Sequence, residues 1–203
     1  MRIFLTSNGL STPGLRREFR SLLDGNPKEK KVIVVHSARK ASHKKYVKMV
    51  GEELGKIGIS RSNINYLDIT QAINAKNHCD FDVIYMCGGN TFYILDRIRK
   101  TGFDKIIRKH LLNGKLYVGV SAGSIILSQS IELAGWGSEA DENFIKLHNL
   151  RGLNFTNFVL FPHYKDKLRA EIGEFRKKVN YSVENLRDGE AIEIIGDKKR
   201  LIK

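Results

Sequence analysis

The sequence predicts an α/β fold, a three-layer arrangement with a mostly parallel sheet and helices on both faces. Three observations lead there. Short β-rich apolar runs alternate with helix-length amphipathic stretches. The apolar runs are continuous rather than alternating, as in strands covered on both sides. A Gly-x-Ser-x-Gly turn, Gly119-Val-Ser121-Ala-Gly123, joins one such run directly to an apolar helical pattern. With 203 residues, 41% of them hydrophobic and 28% charged, the chain reads as a single domain over 1–203 that can bury a full core.

In chain order, strands are expected near Arg2–Thr6, Lys31–Val35, Ile64–Leu67, Val83–Met86 and Leu116–Val120. Helical patterns fall between them at Pro13–Leu23, Ala41–Ile57, Thr91–Arg99 and Phe103–Leu112. A further strand, Phe158–Phe161, leads into a helical pattern at Lys165–Val179. The runs Tyr181–Leu186, Ala191–Ile195 and Arg200–Ile202 are short and separated by Asp/Gly turns, which predicts a small C-terminal antiparallel meander. Ile131–Gly152 is the least regular stretch and is expected as a long loop near the Gly-x-Ser-x-Gly turn.

Composition removes several function classes. The longest unbroken apolar runs, such as Val32–Val35 and Phe158–Phe161, are far too short to cross a bilayer. Residues Met1–Gly9 read as a strand and turn, without the apolar segment and cleavage site of a signal peptide. Cys79 and Cys87 form neither a disulfide framework nor a zinc spacing. A cytoplasmic location follows as the expectation, with no metal and no cofactor. The net charge of +13 raises nucleic acid as a partner. Its basic clusters are scattered along the chain, however, with no interleaved aromatics and no recognition motif, so a solvated basic surface is expected instead. Oligomeric state is left open.

The Gly-x-Ser-x-Gly turn carries the chemistry. Its glycines permit a tight strand-to-helix reversal that lifts the Ser121 hydroxyl clear of the sheet. A serine nucleophile needs a base and a group to hold that base. Of six histidines, His43, His78, His110 and His148 are expected in surface or solvated settings. His36 and His163 both follow apolar strands, at the carboxyl edge where open α/β sheets build their sites. His163, set by Pro162, is the better candidate for the base. The orienting acid is Asp188 or its neighbour Glu190, or else Glu139, Asp141 or Glu142 in the irregular loop. Oxyanion donors are expected from the Ala122 amide and from Cys87-Gly-Gly-Asn-Thr91, where paired glycines let bare backbone approach a substrate. Asn90 is a candidate for orienting that loop or contacting substrate, and Cys87 is read as a buried packing residue.

Taken together, Gly88-Gly-Asn-Thr-Phe92, Gly119–Gly123, Gly152-Leu153, Phe161-Pro-His163 and Leu186-Arg-Asp-Gly189 with Ala191-Ile192 resemble the serine-peptidase family of peptidase E (aspartyl dipeptidase) and cyanophycinase. The resemblance implies a class I glutamine amidotransferase-like fold with serine in place of cysteine. By position it implies Ser121 as nucleophile, His163 as general base, and Gly89 and Ala122 as oxyanion donors. The family often has Glu-Gly where this chain has Asp188-Gly189, one methylene shorter. Members cleave dipeptides after an N-terminal aspartate or β-aspartyl–arginine bonds in a polymer. The expected activity is therefore hydrolysis of short acidic peptides through an acyl-enzyme, with a small peptide as the partner. The competing reading is a catalytically inactive binding or regulatory protein on the same fold.

Overall fold

The computed structural model describes residues 1–37, 41–71 and 80–203, the side chains of 41–44 excepted. Its frame is a seven-stranded sheet built from β1 (Arg2–Thr6), β2 (Val32–His36), β3 (Ile64–Asp68), β4 (Val83–Met86), β5 (Leu116–Val120), β8 (Ala191–Ile195) and β9 (Lys198–Ile202). The spatial order is β3-β2-β4-β5-β1-β8-β9. β3, β2, β4, β5 and β1 run parallel, and β8 and β9 close one edge antiparallel. β1 thus lies between β5, which carries the Gly-x-Ser-x-Gly turn, and the C-terminal hairpin.

Alternation along each strand divides the core into two layers. Ile3 and Leu5 of β1 face one layer with Ile94, Leu95 and Ile98 from α3 (Thr91–Thr101), and with Ile106 and Ile107 from α4 (Phe103–Leu112). Phe4 faces the other, with Leu15 and Phe19 from α1 (Pro13–Ser21) and Val50 and Leu54 from α2 (Ala41–Ile57). Helices therefore cover both faces, which is why the strands read as unbroken apolar runs. Each fully buried Leu or Phe contributes about 1.5–3 kcal/mol to this packing.

Helix boundaries follow local chemistry. Thr12 caps α1 by accepting from Leu15 N–H, with Pro13 at the first helical position. Gly102, in the left-handed region at φ +74°, ends α3 and opens α4. α6 occupies Arg169–Lys178, after a 3-10 turn at Asp166–Leu168 that shortens the expected helix.

The C-terminal runs divide. β8 and β9 form the expected antiparallel hairpin, which extends the main sheet. The first run, β7 (Ser182–Asn185), instead pairs in parallel with β6 (Phe158–Phe161) in a separate two-stranded sheet. Its turn residues do separate it from β8, but α6 packs between β6 and β7 in sequence, so the crossover favours parallel pairing.

The helix after the turn also differs from its pattern. α5 spans only Ala122–Ile125. The carbonyls of Ile126, Leu127 and Ser128 accept from Leu153, Phe155 and Asn154 N–H of the returning chain instead of continuing a helix. Gly152 lies so close to Ser128 O that a β-carbon has no room there. Residues 131–152 form the expected irregular loop, with one 3-10 turn at Glu132–Gly135. His78, Cys79 and the side chain of His43 lie outside the described residues.

Candidate active site

Ser121 sits between β5 and α5 with φ +50° and ψ −113°, a conformation costing on the order of 1–3 kcal/mol for a residue with a β-carbon. The surrounding backbone enforces it. A β-carbon on Gly119 would stand 2.7 Å from Gly123 O and 2.8 Å from Ser124 Cα. One on Gly123 would collide with Met86 O and stand 2.9 Å from Met86 Cγ. Both glycines are thus required by the close packing of β4, β5 and α5. The end of β1 clamps the turn from its other side. Ser121 N–H donates to Thr6 O at 3.0 Å, Ser124 Oγ donates to the same carbonyl at 2.9 Å, and Thr6 Oγ1 donates to Gly119 O at 2.8 Å. Tyr117 hydroxyl donates to Gly123 O at 2.7 Å from within the core.

His163 follows β6 and Pro162 and also has positive φ, +56°. Its Nε2 lies 3.0 Å from Ser121 Oγ, and its Nδ1 lies 2.7 Å from Asp188 Oδ1. The two loops are zipped together on both sides of the imidazole. Leu186 N–H donates to Phe161 O at 2.9 Å, and Tyr164 N–H donates to Leu186 O at 3.1 Å. Asp188 occupies the Arg187–Gly189 turn, where Gly189 has φ +84° and donates its N–H to Asn8 Oδ1 at 3.0 Å. Partial burial acts to raise the pKa of Asp188. Hydrogen bonds from Ser7 and His163, with the charges of His163 and Lys165, outweigh it and hold the carboxyl below its ordinary value.

The other candidate acids face elsewhere. Glu190 Oε2 accepts from Arg187 N–H at 2.9 Å and closes its own turn. Glu139 pairs with Lys167 at 2.9 Å and Lys165 at 3.5 Å. Asp141 accepts from Thr91 N–H at 2.8 Å and from Thr91 Oγ1 at 2.6 Å, at the start of α3. Glu142 contributes its carbonyl to Asn90 Nδ2 at 2.8 Å. The histidines sort likewise. His36 stands at the end of β2 in the neighbouring cavity, its pKa lowered chiefly by burial. His110, expected at the surface, is buried on α4 with Nε2 2.8 Å from Leu116 O, and burial pushes its pKa down to about 4. His148 is exposed.

Two cavities meet at Ser121 and His163. One, of about 280 Å³, is lined by Ser7, His36, Tyr46, Val47, Cys87 and Val120, among others. The second, of about 230 Å³, includes Thr91, Ile125, Leu133, Glu139, Lys165 and Asp188. Gly89 lines both, at φ +145°, and a β-carbon on Gly88 would stand 3.3 Å from Ser121 Cβ. The glycine pair therefore lets backbone lie against the serine. Ala122 opens α5, so its N–H has no acceptor within that helix. Asn90 lines neither cavity: its Oδ1 caps α3 by accepting from Tyr93 N–H at 3.0 Å, and its Nδ2 holds the 131–152 loop. Cys87 is buried, and burial raises its thiol pKa to about 12, so it stays a neutral packing group. Among the described residues no cluster of three or more His, Cys, Asp or Glu is placed to hold a metal, and no helix is long and apolar enough to cross a membrane.

The sequence profile of peptidase family S51 matches residues 3–202. The chain belongs to that family. Membership identifies it as a serine peptidase. It is similar to the uncharacterized peptidase Lmo0363 of Listeria monocytogenes, 32% identical over 178 residues that cover 84% of this chain and 81% of that one. It is also similar to peptidase E of Shewanella denitrificans, 32% identical over 159 residues covering 77% of this chain and 63% of that one. The 1.5 Å crystal structure of a peptidase E-type protein from Listeria monocytogenes superposes with a TM-score of 0.81 at 26% identity, over 98% of this chain and 96% of that one. The S51 peptidase thus has the α/β fold expected of its sequence.

Two contributors escaped the reading of the sequence. Thr6 ends β1 and Ser7 follows it, at the same sheet edge as the glycine-flanked serine, and both hydrogen-bond into the site. A polar pair at the carboxyl end of an apolar strand was the available signal, the same one that singled out His36 and His163.

Proposed function

We propose that this S51 peptidase hydrolyses short acidic peptides through Ser121, His163 and Asp188. The supporting observation is the single imidazole that reaches Ser121 Oγ at 3.0 Å with one nitrogen and Asp188 Oδ1 at 2.7 Å with the other. Asp188 accepts a hydrogen bond from Nδ1–H, which keeps the proton on Nδ1 and leaves Nε2 as the base facing the Ser121 hydroxyl. Ser121 Oγ attacks the scissile carbonyl while its proton passes to Nε2. The N–H groups of Gly89 and Ala122 stabilise the tetrahedral oxyanion. The imidazolium then protonates the leaving amine as the C–N bond breaks, giving an acyl-enzyme. Water, deprotonated by His163, attacks the ester and releases the acid product with Ser121 restored.

Of the described residues lining the two cavities, Lys165 is the one lysine or arginine. Its ammonium stands 3.5 Å from Glu139, which Lys167 holds more closely at 2.9 Å. Lys165 is therefore the cation we assign to a substrate carboxylate. Cavities of this size suit a dipeptide-scale substrate better than a polymer. A cytoplasmic location fits the buried free thiol of Cys87.

The test is hydrolysis of paired dipeptides, Asp-Leu against Leu-Leu, by the protein and by Ser121→Ala. Cleavage favouring Asp-Leu and abolished in Ser121→Ala supports the reading. Equal cleavage of both refutes the acidic preference, and cleavage that survives Ser121→Ala refutes the nucleophile. No turnover of either supports a binding protein instead.

A further inference from the structure

We propose that Ser7 is a positioning residue for the catalytic histidine and its acid, an inference that rests on the Ser121–His163–Asp188 assignment. Ser7 follows β1, is fully buried, and makes three contacts that converge on the site. Its hydroxyl donates to Asp188 Oδ1 at 2.7 Å. The same hydroxyl accepts from the backbone N–H of His163 at 2.8 Å. It also lies 3.4 Å from His163 Nδ1.

Proton counting fixes what each contact does. A serine hydroxyl has one hydrogen and two lone pairs. The hydrogen goes to Asp188 Oδ1 at the shorter distance, and one lone pair takes the His163 amide. The 3.4 Å contact to Nδ1 is then not a second donation. Asp188 Oδ1 receives two donors, Ser7 O–H and His163 Nδ1–H, which keeps the carboxylate ionised and its oxygen in place. With Asp188 as its acceptor, Nδ1 carries the proton and Nε2 keeps a lone pair toward Ser121.

The backbone contact matters as much. His163 holds φ +56°, a conformation unfavourable for a residue with a β-carbon, and that conformation aims the ring at Ser121. Ser7 Oγ accepts the amide of that strained residue. One buried hydroxyl therefore secures both the direction of the imidazole and the acid behind it. Ser7 itself sits on rigid sheet, since Thr6 pairs with Val120 of β5 and Ala191 of β8. Its N–H donates to Glu190 O at 3.4 Å, tying it to the loop that carries Asp188.

The experiment measures the second-order rate of Ser121 labelling by a fluorophosphonate, and kcat and KM on a cleaved dipeptide, for the wild type, Ser7→Ala and Ser7→Cys. The thiol is nearly isosteric but a weak donor and acceptor, so Ser7→Cys keeps the buried volume while losing the hydrogen bonds. Both variants should lose at least about tenfold in labelling rate and kcat with KM within twofold, the size of loss expected when a hydrogen bond to a charged group is removed. The acidic limb of the kcat/KM profile should move to lower pH, because a less well-held carboxylate stabilises the imidazolium less. Combined with Asp188→Ala, the Ser7→Cys effect should shrink, as for two groups acting through one. Wild-type labelling rate and an unmoved acidic limb in folded Ser7→Cys would overturn the proposal. Failure of the wild type to label at all would instead overturn the assignment of Ser121.

Discussion

The carboxylate of Asp188 lies 2.7 Å from Nδ1 of His163, although 25 residues separate them in sequence. Parallel pairing of β6 with β7 brings their loops to one edge, and reciprocal hydrogen bonds around Phe161, Tyr164 and Leu186 hold them in register. Asp188→Asn keeps the shape of this contact but allows the amide to donate to Nδ1, which reverses the useful tautomer. The expected result is a loss in kcat of at least about 100-fold with little change in KM. Steady-state kinetics on a cleaved dipeptide, with circular dichroism to verify folding, checks it.

The same carboxylate leaves a mark on stability. Its folded pKa is depressed below the ordinary 3.8, so its contribution is fully present above the unfolded pKa and is lost as pH falls through the folded value. The Tm difference between the wild type and Asp188→Asn should therefore narrow as pH drops below about 4. Thermal unfolding at a series of pH values reads this directly. A difference that widens toward acid would contradict it.

Gly123 and Gly173 should respond oppositely to alanine. A β-carbon on Gly123 collides with the β4 backbone at Met86, so Gly123→Ala should lose about 3 kcal/mol or fail to fold. Gly173 lies within α6 with open space around it, so Gly173→Ala should gain about 0.5–1 kcal/mol. Urea midpoints of the two variants against the wild type provide the measurement.

How far these features were legible in the sequence depends on what kind of physics fixes them. The sheet was legible because strands buried on both faces must be apolar throughout, as Val32–Val35 and Val83–Met86 are. The turn that presents Ser121 was legible because close approach at Gly119 and Gly123 leaves only glycine. Asp188 could not be separated from Glu190 or Asp141, because which carboxylate faces a histidine depends on loop pairing, and spacing does not encode that. His110 read as surface because it sits among charged residues, yet the α4 face it occupies turns inward to Leu116 O. The brevity of α5 was hidden because the apolar residues after it suit a helix equally well, and hydrogen bonds from Leu153 and Phe155 N–H took the Ile126 and Leu127 carbonyls that a longer helix would use.

Two carboxylates help fasten the 131–152 loop: Glu171, which accepts from Ser138 N–H at 2.7 Å and Ser138 Oγ at 2.9 Å, and Asp141. Asp141 receives two hydrogen bonds from Thr91 at the positive end of α3. Asp141→Ala should lose about 1–3 kcal/mol of that attachment. Limited proteolysis should then cut between residues 137 and 147 faster than in the wild type. An unchanged cleavage pattern would show that the Asn90–Glu142 bond and the Glu171 contacts to Trp136 and Ser138 hold the loop without it.

Lys165→Met should raise KM for an aspartyl dipeptide about tenfold, since removing one ion pair to substrate is worth about 1.4 kcal/mol. The rate of fluorophosphonate labelling should fall much less than tenfold, because that reagent carries no carboxylate and Lys165 is the last and smallest of the influences that hold Asp188 ionised. Equal KM values in the two proteins would move the acidic subsite elsewhere.

Everything proposed for the chemistry passes through the hydroxyl of Ser121. Incubation with a fluorophosphonate, followed by mass spectrometry of the peptide containing Gly119–Gly123, tests it most directly. One phosphonyl group per chain on Ser121, with none in Ser121→Ala and slowed addition in a His163→Ala variant, is the predicted result. An unmodified Ser121 under conditions that fully label a control serine peptidase would contradict it.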